Sequence, residues 1–244
     1  MVRNPAPPLP TKQLNHCKKG VNLSRLGYEE ILNQVFLGIG LTPAEISTFF
    51  AGPAFLAWNR FGNAQGSWAP NSTTLPQQWL DREFALSKQV IARMVELGMT
   101  PVLPAFTGFV PEGITRARPN ATVARGSEWN GFGGTYSNVT FLEPFDPLFS
   151  ELQARLLGIQ REVYGDVTDV YTLDQYNENT PFSGDVDYLR NTSKNTMDSL
   201  RAANPNAVWL MQVITSPSAV FFSFFFFFVC PSQIIPAPPW SVFD

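Results

Sequence analysis

Three times in this chain a long segment with helical apolar spacing gives way to a short apolar run, and that alternation restricts the fold more than any other feature. Pro76–Leu97 is apolar at Trp79, Leu80, Leu86, Val90, Ile91 and Met94, ends at Gly98, and leads into Thr100–Phe106. Leu148–Tyr164 follows the cap signal Asp146-Pro147, stops at Gly165, and leads into Val167–Leu173. Asp185–Ala203 stops at Asn204-Pro205 and leads into Ala207–Met211. Helix, strand, helix, strand, helix, strand with such connections suits right-handed parallel crossovers, in a barrel or in an open doubly wound sheet.

Upstream, Ile31, Leu32, Val35, Phe36 and Ile39 mark an amphipathic helix that stops at Gly40. Thr42-Pro43-Ala44-Glu45 supplies a capping hydroxyl, proline at the first helical position and the glutamate of a capping box. Residues 1–19 are proline-rich and then basic, without periodicity, and read as a disordered or foreign leader with no secretory signal. After Gln212 the pattern fails. Residues 213–244 run through a phenylalanine tract to a proline-rich end and read as a gene-model artefact, since valine followed by a phenylalanine tract fits a translated intron. The apolar block Ala219–Cys230 is shorter than the roughly 20 residues a membrane-spanning helix needs, which argues against an anchor.

A length of 244 residues with 44% apolar and 15% charged residues can build a sizeable core. The net charge of -3 gives no reason to expect nucleic acid as a partner. Cys17 and Cys230 lie near opposite ends and make no disulfide framework, and His16 is the only histidine. A zinc centre or a serine–histidine triad is therefore not expected, and neither a metal nor a cofactor is implied. No phosphate-cradling glycine loop follows any strand. Glycosylation sequons at Asn22, Asn71, Asn120, Asn138 and Asn191 are dense enough to favour a protein of the secretory pathway.

The candidate chemistry lies in Asp169–Asn179, where strand formers Val170, Tyr171 and Leu173 break into a polar cluster. In parallel α/β folds, residues just past a strand's carboxyl end are placed to act on a ligand, and Glu178 is such a carboxylate. Ala54–Trp68 interleaves Phe55, Trp58 and Trp68 with Asn59, Asn63, Gln65 and glycines, a composition suited to a neutral polar ligand. An indole packs on the C–H face of a sugar while amides bond its hydroxyls; buried core tryptophans would give the same pattern. The loop from Thr107 through Trp129 and Phe132 is long enough to be functional.

On these residues, Gly20–Gln212 resembles the barrel domain of the α-N-acetylglucosaminidase family. The motifs are Gly52–Asn63 (GPAFLAWNRFGN), Leu97–Gly108 (LGMTPVLPAFTG), Gly126–Trp129 (GSEW), Asp174–Glu178 (DQYNE) and Ala207–Gln212 (AVWLMQ). The resemblance implies a partial (β/α)8 TIM-type barrel over residues 20–212, and a retaining exo-hydrolase of glycans ending in α-linked N-acetylglucosamine. The complete protein would then reside in the lysosome, the vacuole or outside the cell. By the same resemblance Glu178 is the acid/base carboxyl, Asn177 the asparagine beside it, Trp58 and Trp129 walls of the sugar pocket, and Asn63 and Asp174 hydrogen-bonding groups. Retaining enzymes place a second, nucleophilic carboxyl about 5 Å away. That neighbour and partial burial would keep Glu178 protonated for the first step.

The family's nucleophile glutamate falls beyond the matching segment. Glu128 and Glu143 sit in loops, read as solvated, and are not replacements. The expectation is a glycosidase fragment without activity of its own. Its rivals are a non-catalytic sugar-binding remnant and a protein tethered through the phenylalanine block. Nothing in the sequence addresses the oligomeric state.

Overall fold

A computed structural model describes residues 21–23, 25–66, 75–129, 131–176 and 178–211. The leader, the phenylalanine-rich tail, Trp68 and Asn177 lie outside the described residues. Four short strands form one parallel sheet: β1 (Val21–Leu23), β2 (Thr100–Pro104), β6 (Val170–Thr172) and β7 (Val208–Leu210), in the order β1-β2-β6-β7. Pairing sets Leu23 against Val102, Leu103 against Tyr171 and Thr172 against Leu210. The helices between them are α1 (Tyr28–Gly38), α2 (Pro43–Phe49), α3 (Leu56–Arg60), α4 (Gln77–Glu96), α6 (Pro147–Tyr164) and α7 (Val186–Ala203), with a short α5 at Ile114–Ala117.

Chain order and spatial order coincide across the sheet, α1, α4 and α6 pack against one another, and α7 packs on α6. A doubly wound sheet reverses its strand order at a switch point and carries helices on both faces. The strand order shows no such reversal among the described residues. The molecule is thus an α/β protein whose parallel sheet is laid down one strand after another.

The helix ends obey their local signals. Thr42 accepts from the backbone N–H of Glu45, and the Glu45 carboxylate accepts from the backbone N–H of Thr42 at 2.7 Å, the reciprocal capping box. Asp146 caps α6 through Leu148 N–H, and Asp185 caps α7 through Asp187 and Tyr188 N–H. The core is built around Phe36, Phe106, Phe141, Phe149, Leu152 and Leu156, all fully buried. Two buried glutamines of α6 hold the end of β2. Gln160 donates to the carbonyl of Pro104, and Gln153 accepts from the N–H of Phe106. These bonds serve backbone groups just where the strand ladder gives out.

Two departures from the periodicity reading concern strands. β1 was not visible as apolar periodicity, since three residues are too few to show any. The stretch after Phe106, read as a loop, contains an antiparallel sheet of β3 (Phe109–Val110), β5 (Thr140–Leu142) and β4 (Val123–Arg125), in the order β3-β5-β4. Its strands are so short that pairing across the chain, and not local pattern, defines them.

Candidate active site

Each of three successive strand-to-strand connections supplies one wall of the candidate site. The β1–β2 connection carries α3 and Trp58. A helix of five residues is too short to be stable by itself, so tertiary bonds fix it. Buried Asn59 donates to the carbonyls of Phe49 and Ala64 at 2.9 and 3.0 Å. Arg60 grips Glu29 of α1 through Nε and Nη2, at 2.5 and 2.9 Å, and Glu29 is 1% exposed. The N–H groups of Phe61 and Asn63 then bond back to the carbonyl of Trp58. Trp58 is left with 39% of its surface in solvent.

The β2–β6 connection supplies Trp129, between β4 and β5. Its ring stacks on Phe132 at 5.3 Å and 20°, and lies 6.0 Å from Trp58 at 43°. The β6–β7 connection supplies Glu178, which is exposed and whose Oε2 accepts the indole N–H of Trp129 at 2.7 Å. Two further bonds tie the walls together: the Asn179 amide donates to the carbonyl of Gly62, and Thr180 N–H to the Ser127 hydroxyl. Phe141 of β5 packs on Tyr176 and Phe182 of the same loop. Residues 49 apart in sequence thus meet through a charge-assisted bond, with an aromatic platform beside it.

The other sequence-selected residues are distributed as follows. Asp174, half-buried, accepts the N–H of Tyr176 and so shapes the turn that leads to Glu178. Asn63 is fully buried, with its backbone N–H on the carbonyl of Trp58. The partial burial expected of Glu178 is not supplied by the described residues, where it is exposed. Arg25, which the sequence reading passed over, lies at the end of β1 with its guanidinium 4.4 Å above the ring of Phe61. Burial lowers its pKa, opposed by Tyr28 and Asp174 among its neighbours.

One carboxylate contradicts expectation. Glu128 is exposed, but Glu143 is 6% exposed and accepts from the Tyr188 hydroxyl at 3.1 and 3.0 Å on its two oxygens. Its partner is 45 residues away, at the first turn of α7, so no local pattern could have announced the burial. That burial pushes the Glu143 carboxyl above its ordinary value of 4.5. A raised acid contributes stability that is complete below the unfolded value and is lost as pH rises through the folded one. In Glu143→Gln this loss is absent. Its melting temperature relative to the native chain should therefore climb as pH is raised from below 4.5, as scanning calorimetry in a pH series would show; a constant offset would contradict the burial argument.

Known proteins resemble this chain in both sequence and fold. The family model described as "Alpha-N-acetylglucosaminidase (NAGLU) tim-barrel domain" matches residues 17–220. Human α-N-acetylglucosaminidase is 39% identical over 196 residues, which cover 79% of this chain and 26% of the human protein. A family 89 glycoside hydrolase from Clostridium perfringens, solved with 2-acetamido-1,2-dideoxynojirimycin, superposes with a TM-score of 0.70 at 26% identity, over 81% of this chain and 22% of its own. A doubly Glu→Gln form of that enzyme, solved with its substrate GlcNAc-α-1,4-galactose, gives 0.69 at 25% identity, over 79% of this chain and 21% of its own.

By class, then, this is an α/β chain that groups with glycoside hydrolases. The chain belongs to the α-N-acetylglucosaminidase family. It spans about a quarter of the length of these relatives.

Proposed function

We propose that residues 20–212 are an arc of a (β/α)8 barrel and carry the acid/base half of a retaining exo-α-N-acetylglucosaminidase site. The sequential parallel strands support the barrel reading. The observation that carries the site reading is the bond from Trp129 Nε1 to Glu178 Oε2, with Trp58 packed beside the same indole. An exposed carboxyl held at the edge of Trp129, itself only 9% exposed, can face the glycosidic oxygen of a sugar lying on the more exposed ring of Trp58. Glu178 would protonate that oxygen as the bond breaks and then, as base, take a proton from water. Asn177 and Asp174 would bond the sugar, with buried Asn63 holding the carbonyl of Trp58 through its backbone N–H.

The second carboxyl of such a mechanism is proposed to come from outside residues 20–212. Each buried acid among the described residues is engaged elsewhere: Glu29 with Arg60, Glu143 with Tyr188, and Asp146 with the start of α6. Two Glu→Gln changes in the substrate-bound bacterial relative agree with a mechanism that needs two carboxyls. The purified 244-residue chain should therefore leave an aryl α-N-acetylglucosaminide intact in a release assay. Hydrolysis that is abolished by Glu178→Gln would show the missing partner to be present after all.

The natural ligand on this reading is a glycan ending in α-linked N-acetylglucosamine, and the complete protein passes through the secretory pathway. In support, the sequons at Asn120 and Asn191 are exposed, while the Asn138 amide is committed to the carbonyl of Gly126. Among the described residues no helix is long and apolar enough to cross a membrane, and no cluster of three or more metal-ligating side chains occurs.

A further inference from the structure

Glu143 has no role in the proposed chemistry, yet it ends a directed chain of hydroxyls. Tyr176 donates to Tyr188 at 3.4 Å, and Tyr188 donates to the carboxylate of Glu143. The inner link is well formed and charge-assisted, and the outer one is long. Ring packing supplements the outer link, for Tyr176 lies 5.9 Å from Phe141 and 5.8 Å from Phe182, which themselves touch at 5.0 Å. Tyr188 also packs against Phe145, edge-on at 6.4 Å. The carboxylate itself cannot drift, because the segment that carries it is clamped at both ends. Glu143 N–H bonds the carbonyl of Thr122, its own carbonyl accepts the N–H of Asp146, and Asp146 accepts the N–H of Thr122.

Tyr176 stands two residues before Glu178, and its carbonyl accepts the N–H of Asn179 at 2.6 Å. The geometry points to Glu143 as a positioning residue: acting through Tyr188 and Tyr176, it sets the loop that presents Glu178 to the indole of Trp129. A buried carboxylate is a costly anchor unless its acceptor capacity is used. Here Tyr188 uses it, joining the end of β5 and the first turn of α7 to the loop between β6 and α7. The inference rests on the reading of Glu178 as the working acid, but its test does not depend on sugar binding.

The indole N–H of Trp129 reports where Glu178 stands. In the full chain with 15N-labelled tryptophan, that resonance is assigned by its disappearance in Trp129→Phe, and its hydrogen exchange is followed beside the melting temperature of each variant. Tyr188→Phe and Glu143→Leu should each speed the exchange about tenfold, the equivalent of one hydrogen bond. Glu143→Gln, which keeps an acceptor for Tyr188, should leave it within about twofold of the native rate. Unchanged protection in Tyr188→Phe, or equal loss in the Gln and Leu variants, would overturn the role. If Glu143→Leu fails to fold, Tyr188→Phe decides, because it removes only a hydroxyl. Should the chain bind no N-acetylglucosamine analogue while the N–H still responds, the functional reading falls and the positioning role stands.

Discussion

Arg60→Met should destabilise the fold by roughly 3–5 kcal/mol, because it strands the carboxylate of Glu29 in the core. Glu29 is 1% exposed and Arg60 18%, and the pair is bidentate. Most of the cost is the uncompensated charge and not the lost attraction, so a second change should recover much of it. Glu29→Met combined with Arg60→Met should melt above Arg60→Met alone, since an apolar pair can fill the space of a buried ion pair at little cost. In thermal unfolding the single change corresponds to a fall of about 10 °C for a domain of this size. Arg60 also closes α3, so the loss should spread to Trp58 before it reaches the sheet. A drop under about 1 kcal/mol would mean that water, or the nearby Arg25, already compensates Glu29.

Gly62→Ala strikes the site more directly. Gly62 has φ +70, and a Cβ built there would lie 2.1 Å from ring atoms of Phe109. Left-handed strain of about 1 kcal/mol and overpacking of 1–3 kcal/mol add to roughly 2–4 kcal/mol. The clash cannot be relieved cheaply, since Phe109 is 3% exposed and packs edge-on against Phe141 at 5.5 Å. The carbonyl of Gly62 is also the acceptor for Asn179, one residue past Glu178. Stability and the register between the Trp58 and Glu178 walls should therefore fail together. Urea unfolding would give the first, and exchange of the Trp129 indole N–H the second. A variant that unfolds earlier but keeps native indole protection would show that the two walls are held independently.

What the sequence made legible follows the range of the forces involved. Thr42, Asp146 and Asp185 act within three residues of themselves, so the starts of α2, α6 and α7 could be read within a residue or two. Glu178 was legible because a polar cluster follows β6 directly and because its motif resembles the family's. The small antiparallel sheet was not, since Phe109 pairs with Phe141 across more than thirty residues and two- or three-residue strands carry no alternation. Glu143 was misread for the same reason: a loop acid is solvated by default, and only Tyr188, brought in by α7, makes it a buried acceptor. The bond between Trp129 and Glu178 lies between these cases. Both residues could be picked out separately, but their contact depends on the small sheet.

Trp58, Trp129 and Glu178 are proposed to form a pocket for a terminal N-acetylglucosamine. Its most direct test is a titration of the purified chain with 2-acetamido-1,2-dideoxynojirimycin, the ligand held by the Clostridium perfringens relative, followed by tryptophan emission. A saturable change is expected, lost in Trp129→Phe and weakened at least about tenfold in Glu178→Gln, as befits one charge-assisted hydrogen bond. An unsaturable response, or an equal one to the analogue lacking the acetamido group, would contradict it.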